Sequence, residues 1–192
     1  MIVEGLLTST DSAGTINVAP MGPIVHGDFT TFTLRPFAGS TTFENLQAQK
    51  CGVFHVVDRV NVIAEAAIRR LKDIPATVAA SKVNGFVLQD CCRWFEFKIT
   101  DIDTSEQRSV MTANVIHTGN RRPFHGFNRA RHAVIEAAIL ATRVHLLPAA
   151  DVQTQLGFLQ SAVEKTGGAE ETAAFTMLVE HIQQHYAGAA VA

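Results

Sequence analysis

Apolar and polar positions alternate through much of the first 118 residues and recur at helical spacing after them. "IVEGLLTST", the turn signal "DSAG" and "TINVAPMGPIVHG" read as an antiparallel hairpin. "TTFTLRPF" sets Phe32 and Leu34 against Thr31, Thr33 and Arg35, the pattern of a half-buried strand that Pro36 must end or leave at an edge. A short helix is expected over roughly 41–50, with Thr41 and Glu44 in capping-box spacing. "CGVFHVVD" is nearly continuous in apolar residues, as in a strand buried on both faces. "VNVIAEAAIRRL" places Val60, Ile63, Ala64, Ala67, Ile68 and Leu71 on one helical stripe, and Pro75 bars its continuation. Residues 76–91 predict a loop with at most one short strand. "RWFEFKITDID" and "RSVMTANVIHTG" predict a long hairpin that turns near Thr104 to Gln107.

Helical spacing then takes over, in stretches 127–147, 149–165 and 170–187, with Gly167-Gly168 available as a left-handed helix end. Short connections in the first part imply antiparallel pairing and a closed or partly closed barrel rather than a doubly wound sheet. The expected fold class is α+β. Residues 1–120 form one domain and residues 121–192 a C-terminal helical subdomain.

Composition narrows the function. The chain has 192 residues, 47% of them hydrophobic, and a formal net charge of −2. It therefore lacks the overall basic surface that neutralises nucleic-acid phosphates. Three cysteines without a C-x-x-C pair suit a reduced, cytoplasmic protein. "MIVEGLLTST" reads as a first strand rather than a signal peptide. The most apolar helical stretch carries Glu136 and Arg143, so no membrane span is expected. His181 and His185 stand four apart, but "HIQQH" lacks a general-base Glu and a third ligand, so no metal centre is expected. Neither a G-x-S-x-G elbow nor a Walker or G-x-G-x-x-G loop occurs, so an enzyme here would rely on a cofactor.

Three stretches could carry a site. In "LRPFAGSTTFENL", Arg35 precedes Ser40, Thr41 and Thr42 at a helix start. Unpaired N–H groups, the positive end of the helix dipole, three hydroxyls and a guanidinium suit a phosphate dianion. The same residues also suit a plain capped helix, with Thr41 as the cap. In "TINVAPMG", Pro20 and Gly22 imply an edge or a bulge with backbone groups free for a planar heterocycle. A kinked edge strand is the plainer account of the same residues. In "NRRPFHGFNRARH", Arg121, Arg122, Arg129 and Arg131 crowd a loop and helix start that could hold an anionic substrate or form a solvated basic turn. Arg129, Glu136 and Arg143 share one stripe of the following helix, which fits an ion-pair seam.

Taken in order, these segments resemble the FMN-binding split-barrel superfamily of flavin reductase-like proteins, and within it domain-of-unknown-function family 447. The residues that carry the resemblance are "EGLLTST" at 4–10, "NVAPMG" at 17–22, "LRPF" at 34–37, "STTFENL" at 40–46 and "GFNRARHAVIE" at 126–136. The resemblance implies a six-stranded antiparallel Greek-key split β-barrel that forms a homodimer and binds FMN. It places the phosphate on Arg35, Ser40, Thr41, Thr42 and Asn45, with Pro36 beside them, and the isoalloxazine along Asn17, Val18 and Ala19. Arg121, Arg122 and Arg129 would meet a small-molecule substrate or nicotinamide donor. His55 stands where relatives often carry Asn, and no role passes to it. The implied function is an FMN-dependent oxidoreductase. Related alternatives are a protein of tetrahydromethanopterin-linked C1 metabolism and a non-catalytic flavin carrier.

Overall fold

The computed structural model describes residues 1–106 and 108–189, which fall into two compact units. The first comprises Met1–Val57 and Asp73–Phe124, and the second Asp58–Lys72 and His125–Ala192. Residues 58–72, which the sequence reading left with the barrel, group with the C-terminal helices.

Among the described residues, nine strands and one helix build the first unit. They are β1 (Gly5–Thr10), β2 (Ile16–Met21), β3 (Ile24–His26), β4 (Thr31–Leu34), α1 (Thr41–Gln49), β5 (Cys51–Val56), β6 (Thr77–Ala79), β7 (Phe86–Leu88), β8 (Arg93–Asp103) and β9 (Val110–Asn120). Seven strands rather than the expected six form the main sheet, in the order β2-β1-β5-β8-β9-β4-β3, with every pair antiparallel. The count rises because Gly22-Pro23 breaks "TINVAPMGPIVHG" into β2 and β3, which pair with different neighbours. The N-terminal residues reach β3: Ile2 bridges Ile24, Val25 N–H donates to Met1 O at 2.8 Å, and Val3 N–H donates to Pro23 O at 3.2 Å. The sheet thus curls into a half-barrel around Leu7, Phe32, Leu34, Phe54, Phe95 and Phe97. Phe32 meets Phe54, Phe95 and Phe97 edge-on at centroid distances of 5.7, 5.6 and 6.2 Å. Each such ring contributes about 1.5–3 kcal/mol through burial alone.

All six residues of β1 are buried, so this strand is covered on both faces. The reason is the β6–β7 hairpin, two strands where at most one was expected. Thr8 Oγ1 donates to Phe86 O at 2.5 Å, and the N–H of Leu88 bonds the ring of His55 at 3.1 Å, which seats this hairpin against β1 and β5.

The second unit contains α2 (Val60–Ala67), α3 (Arg129–Thr142), α4 (Ala149–Thr166) and α5 (Ala169–Ala189). Helix α2 stops four residues short of Leu71 because Arg69 takes a left-handed φ of 56°. On α3, Ala130, Ala133, Ala137, Ala138 and Ala141 are buried and allow close approach to Val152, Leu156, Leu178 and Ile182. Arg129, Glu136 and Arg143 are exposed, and among the described residues no ion pair joins them. The ion pair of this helix belongs instead to the half-buried Arg131, whose Nε donates to Glu171 Oε1 at 3.1 Å. Gly167 is not left-handed, its φ and ψ being −80° and 147°. Its need for glycine is proximity, because a Cβ there would stand 2.7 Å from Val163 O.

Candidate functional site

The chain leaves β4 at Leu34 and turns toward α1. Arg35 is exposed, and Pro36 is buried with its carbonyl accepting from Ser109 Oγ at 2.8 Å. Gly39, at φ 77°, allows Ser40 N–H to reach Phe37 O at 3.1 Å. Ser40 is the helix cap. Its backbone is extended and its Oγ accepts from Phe43 N–H at 3.2 Å. The expected Thr41 cap and the Thr41–Glu44 box are therefore corrected by one position, because the Ser40 hydroxyl reaches the third N–H of the helix. Glu44 N–H is taken by Ser40 O, while the N–H groups of Thr41 and Thr42 have no partner among the described residues. These are the outward donors that the first turn of a helix presents, together with its partial positive charge.

Behind that turn lies a polar cluster from three elements. Asn17 of β2 donates through Nδ2 to Thr42 Oγ1 at 3.0 Å and to Ser9 Oγ of β1 at 3.3 Å. Asn45, one turn into α1, donates to Ser9 Oγ at 3.2 Å. Ser9, Thr42 and Asn45 are buried, so these bonds replace the water each group loses. Thr42 and Asn45 thus brace the helix end from within, while Ser40, Thr41 and Arg35 stand on its accessible side. Ser9 lies inside the "TST" motif, and its role was missed because nothing local marks a serine that two distant asparagines will meet. Val18 is buried and Ala19 half-buried on β2, which ends the sheet and has only β1 as a neighbour.

The arginines of "NRRPFHGFNRARH" diverge. Arg121, in the first unit, lies over the Trp94 ring at 5.5 Å. Arg122 is tied by Nε to Asp90 Oδ1 at 3.0 Å and by Nη1 to Cys92 Sγ at 3.4 Å. Arg129 is exposed at the first position of α3, in the second unit. Sequence reasoning also missed the buried Asp58 of the second unit, whose Oδ2 accepts the His125 N–H at 3.1 Å and lies 3.4 Å from that ring's Nδ1.

Thiol chemistry is disfavoured. Burial raises the Cys91 thiol to about 11, burial also raises Cys51, and all three cysteines are free. His55 is fully buried and its pKa is lowered to about 4, chiefly by burial. Its Nε2 accepts from Leu88 N–H and its Nδ1 lies 3.2 Å from Leu6 O, so Nδ1 carries the proton. Among the described residues no group of three or more His, Cys, Asp or Glu side chains could hold a metal, and no helix is long and apolar enough to cross a membrane.

Residues 3–122 match the family model described as the N-terminal domain of a protein of unknown function (DUF447), and residues 128–180 match its C-terminal counterpart. The chain belongs to the DUF447 family. A solved DUF447 relative, the FMN-bound protein of Methanosarcina mazei, is 23% identical, with a TM-score of 0.79 over 94% of each chain. Wider likenesses cover a part of this DUF447 chain. Pseudomonas fluorescens 2-nitrobenzoate 2-nitroreductase is 20% identical at a TM-score of 0.53, over 62% of this chain and 64% of its own. The styrene monooxygenase flavin reductase of Pseudomonas putida is 15% identical at 0.52, over 64% and 82%. These likenesses are of fold. No curated protein sequence matches the chain.

Proposed function

We propose that this DUF447 protein binds FMN on its first unit and works as a flavin-dependent oxidoreductase of flavin reductase-like type. The observation that carries this reading is the open first turn of α1, with the Thr41 and Thr42 N–H groups unpartnered among the described residues and Arg35 exposed ahead of them. That donor set fits a phosphate dianion. In this reading Ser40, Thr41 and Arg35 hold the phosphate. Ser9, Asn17, Thr42 and Asn45 keep the turn rigid, and edge strand β2 with Val18 and Ala19 flanks the ring. Asn17, bonded to Thr42, would lie where the phosphate and ring ends of that slot meet. Bound FMN would supply hydride chemistry, and the protein would supply orientation and charge compensation. The first unit acts as a split barrel built on the seven-stranded antiparallel sheet. Two copies form a homodimer, and Arg121 serves the substrate side. The M. mazei relative, described as FMN-bound, and the flavin reductase among the similar folds support this reading.

The test is FMN affinity by fluorescence titration. Replacing Arg35→Ala removes a full charge, and Thr41→Ala removes one hydroxyl. Loss of a charge-assisted bond is worth about 1.5–3 kcal/mol, so Arg35→Ala should weaken FMN by about ten- to a hundredfold. Unchanged FMN affinity in both variants would show the phosphate assignment to be wrong.

A further inference from the structure

The second unit holds a concentration of cations that the flavin reading does not use. Past the end of α2, residues Arg69, Arg70, Leu71 and Lys72 line a recess of about 500 Å³. The left-handed turn at Arg69 ends the helix there, with Arg69, Arg70 and Lys72 all exposed. On α5, His181, Gln184 and His185 stand at positions i, i+3 and i+4, so they share one face. Arg70 Nη2 donates to Gln184 Oε1 at 3.3 Å, which fixes the guanidinium at that face. The pKa of His181 is lowered by burial and then by Arg70 and His185, which lie close to it. Among the described residues no carboxylate is ion-paired with any of these five basic side chains.

Like charges held together without a counter-ion repel, and an anion between them relieves that repulsion. Two guanidinium groups and an ammonium group offer a fork geometry for oxyanions, and the imidazoles add further donors. We propose that Arg69, Arg70 and Lys72, with His181 and His185 beside them, form a binding site for a phosphate-type oxyanion, free or carried on a small organic ester. The site belongs to the second unit alone and does not depend on FMN binding to the first.

Calorimetric titration of the full-length protein, saturated with FMN, with inorganic pyrophosphate tests this. Saturable binding is expected, weakened at least about tenfold by Arg70→Gln combined with Lys72→Gln. Arg70→Lys, which keeps the charge but loses the fork, should bind more weakly than the parent and more tightly than Arg70→Gln. Lys98→Gln removes one exposed charge from β8 in the other unit and should leave binding unchanged. Inorganic phosphate and ribose 5-phosphate, titrated in parallel, separate a free oxyanion from an ester, since an ester site binds the sugar phosphate more tightly. The proposal is overturned if pyrophosphate gives no saturable heat. It is equally overturned if the double variant binds as the parent does, or if Lys98→Gln costs as much as the double variant. A run without FMN separates the two readings, because binding here should persist when the flavin is absent.

Discussion

His55 joins three strands through one ring. Its Nδ1–H serves Leu6 O of β1, and its Nε2 receives the N–H of Leu88 from β7. Both contacts require neutral imidazole. The pKa is about 4 in the folded protein against an ordinary value of 6.5. The unfolded chain therefore binds a proton that the folded one refuses between those values. Stability is full above pH 6.5 and falls as the pH drops toward 4, by about 3 kcal/mol in all. Urea unfolding across that window should show the loss, and His55→Gln should flatten that part of the profile while lowering stability at pH 7. A parent whose stability stays constant from pH 6.5 to 4.5 would contradict the buried neutral imidazole. Glu96 is the opposite case. Burial raises its pKa, but the Ser81 and Lys82 N–H groups, the Ser81 hydroxyl and the Trp94 indole N–H outweigh it, and the net shift is downward. The charged carboxylate thus anchors residues 81–82 onto β8.

At the scale of elements, β8 and β9 form the longest pairing, with register shifts at Glu96/Phe97 and Ile99/Asp101. Trp94 faces Gly119 across this pair, and a Cβ on Gly119 would stand 2.1 Å from two indole carbons. Gly119→Ala must push the ring off the strand, at a cost of about 1–3 kcal/mol. Trp94 is the only tryptophan, so its emission should shift with that substitution, and an unchanged spectrum and stability would refute the packing. Element type was legible wherever a period was long. The alternation of β4 and the stripes of α4 and α5 announced themselves, and the structure follows them within a few residues; β8 forms where its alternation lies, but Glu96 is buried because residues 81–82 cover it. Three features were hidden for physical reasons. The split between β2 and β3 depends on which neighbours each half meets. The β6–β7 hairpin is short and carries little pattern. The end of α2 is set by the backbone of Arg69, while its apolar stripe runs on to Leu71. The helix start at α1 was visible, but its cap was misplaced by one residue because serine and threonine cap alike.

Across the whole molecule, each unit has a core of its own: phenylalanines within the half-barrel, and alanines, valines and leucines among the helices. The candidate flavin site draws only on the first unit, from Ser9, Asn17, Arg35, Ser40, Thr41, Thr42 and Asn45. Its ordered series of motifs was legible along the sequence. The contacts of Ser9 were not, because they join residues eight and thirty-six positions apart. A ligand that binds only the folded form stabilises it in proportion to the logarithm of its concentration over Kd. Flavin bound through its phosphate must therefore protect the protein far better as FMN than as riboflavin, which carries the same ring without the phosphate. The ratio of the two dissociation constants, measured on flavin-free protein by fluorescence titration, tests the central claim most directly. The open turn of α1 with Arg35 predicts that FMN binds at least about a hundredfold more tightly, consistent with two or more charge-assisted bonds. Equal affinity for FMN and riboflavin, or binding of neither, would contradict it.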